Sequence, residues 1–315
     1  MFKWFIGFCA AMTMSTAMAV SFPLTIEHTF GKTVIETQPQ RVATLDYSGA
    51  DDLLALGIQP VAIRYWYGDF PKTLWPWASD YLNTQPTVIG RSIDYEALAA
   101  ARPDVILALW SGIDERAYQK LSLIAPVVAV PKGRSDYGLA WDERALLAGE
   151  ATGRLEQAKV VVGEIQARFK AARQAYPQWS GQTASVVYAG RGDLGVFGAQ
   201  DVRPQTLAEL GFKTPEALTA LMPPGRFYVD LSREALPLID ANVIFWFSAN
   251  NEFTHVKRLP GRSALSASHI FVDDLLAGAF SHSSLLSLPY VLDRLVPAVG
   301  KALSTLRTVV DLTAR

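Results

Sequence analysis

The sequence predicts an α/β fold made of two Rossmann-like lobes joined by a single long α-helix. Three observations lead there. From residue 41 onward, short apolar runs alternate with helix-patterned segments, the order expected of βαβ crossovers and parallel sheets with helices on their faces. One stretch without proline, from Ala151 to Tyr176, carries Val161, Ile165, Phe169 and Ala172 three or four positions apart and breaks the alternation. The chain has 315 residues, more than one core comfortably serves, which points to two domains.

The elements follow in order. Met1-Phe2-Lys3, the apolar run Trp4 to Met14 and the small-x-small triplet Ala17-Met18-Ala19 form an export signal, too short for a bilayer span, with cleavage near Ala19. Cys9 lies inside the apolar run, and Ile6-Gly7-Phe8 lacks a lipobox pattern, so no lipid anchor is expected. Residues 20–150 should form the first lobe. Arg41 to Leu45 reads as a strand, followed by a helix from Ser48 to Leu56 with Ser48 as N-cap and Gly57 as its stop. Pro60 to Ile63, Thr87 to Ile89, Asp104 to Leu109 and Val127 to Val130 read as further strands, with helices over Asp94 to Ala101 and Asp114 to Ile124 between them. Residues 151–177 should form the interlobe helix, about 36 Å long over its first 24 residues and stopped by Pro177. Residues 178–315 restart the alternation: strands at Ala184 to Tyr188 and Val243 to Phe247, helices at Pro204 to Leu210, Ser232 to Leu238 and from Pro289.

Composition excludes several function classes. Lys and Arg number 29 against 30 Asp and Glu, with no basic run, so nucleic acid is not an expected partner. The single cysteine falls in the export signal, and a chain of this length can bury ample apolar surface without disulfides. No Gly-x-Ser-x-Gly elbow, phosphate loop or His-x-x-x-His pair occurs, which leaves no catalytic residue to name and favours a binder over an enzyme. His28, His255, His269 and His282 are scattered, and no set of His and carboxylate ligands assembles around a bare metal ion.

Several segments carry a resemblance. "QPQRVATLDYSGADDLLALGIQPVAI", "VIGRSIDYEALAAARPDVILA", "DLSREALPLIDANVIFW" and "AFSHSSLLSLPYVLDRLVPAV", in this order, resemble the signatures of ABC-importer substrate-binding proteins for iron–siderophore complexes and cobalamin. The resemblance implies a periplasmic, monomeric receptor with a ligand cleft between its lobes. Its ligand would be a ferric siderophore, with haem or cobalamin as the alternative, and its partner the permease of an inner-membrane ABC transporter. No cofactor is implied, because iron arrives already wrapped by its chelator.

The expected site follows from this. "RYWYGDFPKTLWPWASDYL" places seven aromatics between Arg64 and Leu82, directly after a strand, and ligands of α/β folds bind at the carboxyl ends of strands. Tyr65, Trp66 and Tyr67 are candidates for the cleft wall, whereas Trp75, Trp77 and Tyr81 are expected to pack as a core patch. Trp110, Trp141, Tyr188, Trp246 and Phe247 sit at other strand ends or entering helices and are further wall candidates. Guanidinium groups suit the oxygen-rich surface of a chelate. Arg91 and Arg203 fall near positions where the resemblance implies ligand arginines, with Arg191 and Arg64 as lesser candidates. Asp51 and Glu234 match the acidic residues that dock such proteins to their permease.

Overall fold

The computed structural model describes residues 20–135, 137–190, 194–305 and 307–313, so the expected export signal, Cys9 and Arg191 lie outside the described residues. Two antiparallel strands, β1 (Leu24–His28) and β2 (Gly31–Ile35), open the described chain. Five parallel strands form the first sheet: β3 (Val42–Thr44), β4 (Ala62–Arg64), β5 (Thr87–Ile89), β6 (Val105–Ala108) and β7 (Val127–Ala129), in the order β5-β4-β3-β6-β7. The β1–β2 hairpin is fastened beside β7, where Thr33 Oγ1 donates to the Val127 carbonyl at 2.6 Å. The second sheet contains β8 (Ala184–Ala189), β9 (Leu194–Phe197), β10 (Tyr228–Leu231), β11 (Val243–Phe247), β12 (Ser268–Phe271) and β13 (Val309–Asp311), in the order β10-β9-β8-β11-β12-β13. There β8, β11, β12 and β13 run parallel, while β9 and β10 are antiparallel additions at one edge. Strands such as β6 and β11 are buried at every position. Helices cover both faces, which is why these strands read as unbroken apolar runs and not as alternation.

Every strand of the first sheet precedes residue 130 and every strand of the second follows residue 183, so the chain passes between the lobes once. The passage differs from the single helix expected over Ala151 to Tyr176. One helix ends at Ala151, and a second runs from Leu155 to Ala175. Between them Gly153 adopts φ +70°, a left-handed conformation that interrupts helical hydrogen bonding at little cost only for glycine. The second helix has 21 residues and spans about 31 Å. Its buried stripe is Ala158, Val162, Ile165, Phe169 and Ala172, with Val161 at the stripe's edge. Among the described residues, no helix is long and apolar enough to cross a membrane.

The lobes are held in register by a buried polar knot. Arg144 has no exposed surface, and its Nε donates to Asp52 Oδ2 at 2.8 Å. Its Nη2 donates to the carbonyls of Ser283 at 2.8 Å and His282 at 3.3 Å, both in the second lobe. Ser283 holds φ +41°, a left-handed turn unusual for a residue with a side chain, and that turn closes the helix Asp274–His282. Asp52 Oδ1 in turn accepts from the Leu285 amide at 2.9 Å. Asp51 accepts twice on Oδ2, from Ser284 Oγ at 2.6 Å and from Trp77 Nε1 at 2.8 Å.

This knot corrects two expectations. Asp51 is not a surface docking residue, because its side chain is enclosed between the lobes and committed to Ser284 and Trp77. Nor does Ser48 cap the helix after β3: that helix spans Asp51–Ala55, follows Ala50, and has no side-chain cap.

Removing one member of a buried ion pair leaves the other charge uncompensated. Arg144→Ala should therefore lower the unfolding free energy of the ligand-free protein by about 3–5 kcal/mol. The double variant Arg144→Met/Asp52→Leu should recover a large part of the loss, as urea denaturation would show. Asp51 offers a pH test. Burial raises its pKa to about 7, the neighbouring Asp52 charge adds to the rise, and the Ser284 and Trp77 hydrogen bonds oppose it. The folded state thus holds a proton that the unfolded chain releases near pH 4, and stability from this group should fall as pH rises from about 4 to 7. Asp51→Asn, which keeps one oxygen to accept both donors, should remove that slope. The melting-temperature difference between wild type and variant across this range is the measurement.

Candidate ligand cleft

The carboxyl ends of β3, β4 and β6 in the first lobe face those of β8 and β11 in the second. In the first sheet this is the switch point, where the chain leaves β3 toward β4 and later returns to the other side as β6. Two chambers lie between the lobes. The larger, about 440 Å³, is walled by Tyr67, Phe70, Trp75, Tyr188 and Phe247. The smaller, about 250 Å³, is walled by Tyr47, Trp66, Trp110, Tyr137 and Phe227. Phe197, Arg203 and Ser281 border both.

The walls are set by backbone and buried polar contacts. Asp46, following β3, accepts from the Trp110 amide at 2.7 Å and so ties the loop after β6 to the loop after β3. Burial raises the pKa of Asp46 to about 6, against the opposing effects of the Trp110 amide and Arg144. Trp110 stands perpendicular to Trp66, with ring centroids 5.6 Å apart, and Tyr47 closes the group 5.5 Å from Trp66. Arg64 is a brace beneath them: it donates to the carbonyls of Ser111 at 2.8 Å and Arg91 at 2.7 Å and stacks 4.4 Å from the Tyr47 ring. Tyr137 and Phe227 meet edge to face at 5.7 Å across the mouth of the smaller chamber.

His282 fills the seam between wall and lobe. Trp66, Tyr67, Trp75 and Trp77 surround its ring at centroid distances of 5.5, 6.0, 5.5 and 5.5 Å. Its Nδ1 lies 2.9 Å from the Gly278 carbonyl, an acceptor only, so Nδ1 carries the proton. Burial lowers its pKa to about 4, opposed by the Gly278 hydrogen bond and reinforced by Arg144 and Arg203, so the ring is neutral above that pH. Trp75 lies flat on the same helix: a Cβ on Gly278 would come within 2.3 Å of its ring. Only glycine permits that approach. Among the described residues, no group of three or more His, Cys, Asp or Glu is placed to hold a metal ion.

Arg203 occupies the junction of the chambers. Its Nη1 donates to both oxygens of Asp201 at 2.8 Å, its Nη2 to Ser281 Oγ at 2.9 Å, and its Cζ sits 4.0 Å from the Phe197 ring centroid. Its Nε has no protein partner. The Tyr67 hydroxyl also bonds Ser281, and burial raises its pKa.

Of the expected wall residues, Trp66, Tyr67, Trp110, Tyr188, Phe247 and Arg203 line the chambers. Tyr65, Trp141 and Arg91 line neither. Arg91 is exposed, donates from Nε to the Trp66 carbonyl at 2.9 Å and lies over Tyr65, so it holds the loop and not a ligand. Trp246 is fully buried on the other face of β11, where Nε1 donates to His269 Nδ1 at 3.0 Å; its neighbour Phe247 takes the wall position instead. Burial lowers the pKa of His269 to about 4, consistent with a neutral acceptor ring. Trp75 is buried as expected yet also forms wall, and Tyr81, expected in the core, is half exposed. Tyr47, Phe197, Tyr137, Phe227 and Ser281 were missed. Tyr47 was within reach of the strand-end rule that found Tyr65 to Tyr67, whereas Phe197 lies on an antiparallel strand with no clear sequence signal.

Two α/β lobes, crossed once by the chain and closing an aromatic cleft between facing strand ends, define a two-lobed solute receptor. Residues 42–267, well over half of the chain, match the family model described as periplasmic binding protein, and the chain belongs to that family. It is similar to the probable siderophore-binding lipoprotein YfiY of Bacillus subtilis (strain 168), 29% identical over 242 residues, covering 71% of this chain and 68% of the relative. The Fe(3+) dicitrate-binding periplasmic protein FecB of Escherichia coli (strain K12) is 26% identical over 215 residues, 65% of this chain and 66% of the relative. A crystal structure of a periplasmic solute binding protein from Mycobacterium smegmatis superposes with a TM-score of 0.75 at 30% identity, covering 89% of this chain and 98% of that one. The family and these relatives are binding proteins.

Proposed function

We propose that this protein captures a ferric siderophore in the interlobe cleft and delivers it to an ABC importer for iron uptake, acting as an exported monomer in the periplasm. The observation that carries the reading is the cleft itself. Its larger chamber falls in the size range of small-molecule sites, and the aromatic walls of both chambers converge on Arg203 and Ser281, with Tyr67 beside them. Such a site grips a flat, partly apolar body by its faces and its oxygens by a few donors. Iron enters as cargo within its chelator. The siderophore-binding relatives support the ligand class, and residues 1–19 have the pattern of an export signal.

The reading is tested by tryptophan fluorescence of the ligand-free protein titrated with ferric siderophores, haem and cobalamin. Trp66, Trp75 and Trp110 border the chambers, so a ferric siderophore should quench emission saturably. Trp66→Ala should weaken that binding about tenfold, the scale of a lost aromatic contact. Saturable binding of haem or cobalamin without any ferric siderophore would overturn the ligand assignment.

Docking is proposed to use Glu234, since Asp51 is enclosed. Glu234 is exposed at the start of the 3₁₀ turn Arg233–Ile239, and its pKa is lowered by hydrogen bonds from its own amide and from Ser232, which keeps it ionised. Glu234→Arg should abolish uptake through the cognate transporter while changing siderophore affinity by less than about twofold, because a rim charge acts on encounter and orientation. Comparable losses of affinity and uptake would place the residue in the cleft.

A further inference from the structure

The charged groups that line the two chambers, among the described residues, are Asp69, Asp201, Asp274 and Arg203. One cation faces three carboxylates. That cation is already matched, since Arg203 Nη1 lies 2.8 Å from each oxygen of Asp201. Asp69 and Asp274 remain without a cation in the chambers. Asp274 Oδ1 accepts a long hydrogen bond from the Asn251 amide at 3.3 Å, and burial and the neighbouring Asp273 charge raise the pKa of this carboxyl against the Asn251 and Asn250 amides, in keeping with a site that resists more negative charge. The remaining wall is largely aromatic: Tyr67, Phe70, Trp75, Tyr188 and Phe247 in the larger chamber.

On the reading that the cleft takes a ferric siderophore, we infer that it selects chelates of zero or positive net charge, of the trihydroxamate type, and disfavours anionic catecholate and hydroxycarboxylate complexes. Three hydroxamates each bring one negative charge and cancel the ferric ion. Three catecholates each bring two and leave a trianion. The trianion would enter a site whose one lining cation among the described residues is neutralised in place and whose other described charges repel it. It would also lose its water to rings that cannot replace those hydrogen bonds. An uncharged trihydroxamate loses little hydration, lays its apolar periphery on the rings and offers its oxygens to the Arg203 and Ser281 junction of the chambers. A pendant ammonium would gain Asp69 or Asp274.

The test compares four probes by fluorescence titration of the mature protein: ferrichrome, a linear ferric trihydroxamate bearing one ammonium group, ferric enterobactin and ferric dicitrate. At low salt the two trihydroxamates should bind at least about 100-fold more tightly than ferric enterobactin. The ratio should shrink as salt is added. Asp201→Asn keeps the oxygen that accepts from the Arg203 amide while freeing the guanidinium charge, and Asp274→Asn removes an uncompensated acid. Each should shift the enterobactin-to-ferrichrome affinity ratio about tenfold toward the anion. Ferric enterobactin or ferric dicitrate binding as tightly as the trihydroxamates would overturn the inference and leave the siderophore reading standing. So would a ratio that neither variant moves. Failure of all four probes, with haem or cobalamin bound instead, would remove the siderophore reading and this inference together.

Discussion

Arg144 is the constraint on which the cleft depends. A guanidinium with no exposed surface must have its charge and most of its donors satisfied, and here the partners come from both lobes: Asp52 in the first, the Ser283 and His282 carbonyls in the second. The lobes therefore cannot drift apart without breaking the carbonyl bonds that complete the Arg144 guanidinium. The same guanidinium lies 5.3 Å from the Trp110 ring, so the group that sets the angle between the lobes also backs one wall of the smaller chamber. Strand ends supply the cleft, and the hydrogen bonds that Arg144 and Asp52 make to the His282, Ser283 and Leu285 backbone fix how far apart they stand.

The aromatic segment after β4 solves two problems with one run of residues. Trp66 and Tyr67 present faces to the chambers, while Trp77 bonds Asp51 in the polar knot and stacks on Trp75 at 5.0 Å. Trp75 does both, pressed on Gly278 and open to the larger chamber. The choice between core patch and binding wall is thus answered residue by residue. Four of these rings enclose His282, and that enclosure keeps the imidazole neutral beside two arginines.

Much of the fold was legible because parallel strands covered on both faces leave an unmistakable mark. β11 was placed at Val243 to Phe247 to the residue, and the helix stripe through Ile165, Phe169 and Ala172 was read from its spacing. The same property hid the site. A strand buried on both faces has no polar side to show which residues point to a cleft, so Trp246 and Phe247 were both candidates where only Phe247 lines it. The antiparallel pair β9 and β10 was missed because it sits at a sheet edge, outside the strand–helix alternation that marks the parallel strands. Charge misled in a third way. Asp51 beside Asp52 looks like a helix-terminal surface acid, and only the return of Ser284 and Leu285, far along the chain, reveals the pair as interior.

That distance has a consequence for assembly. Asp52 and Leu285 are 233 positions apart, yet the strands of each sheet come from one contiguous stretch of sequence. Each lobe can collapse on contacts made within its own half, without waiting for the other. The polar knot cannot close until nearly the whole polypeptide has been delivered, and until then Asp51, Asp52 and Arg144 keep their water. The knot, and the cleft it holds, is therefore complete only when both lobes are present.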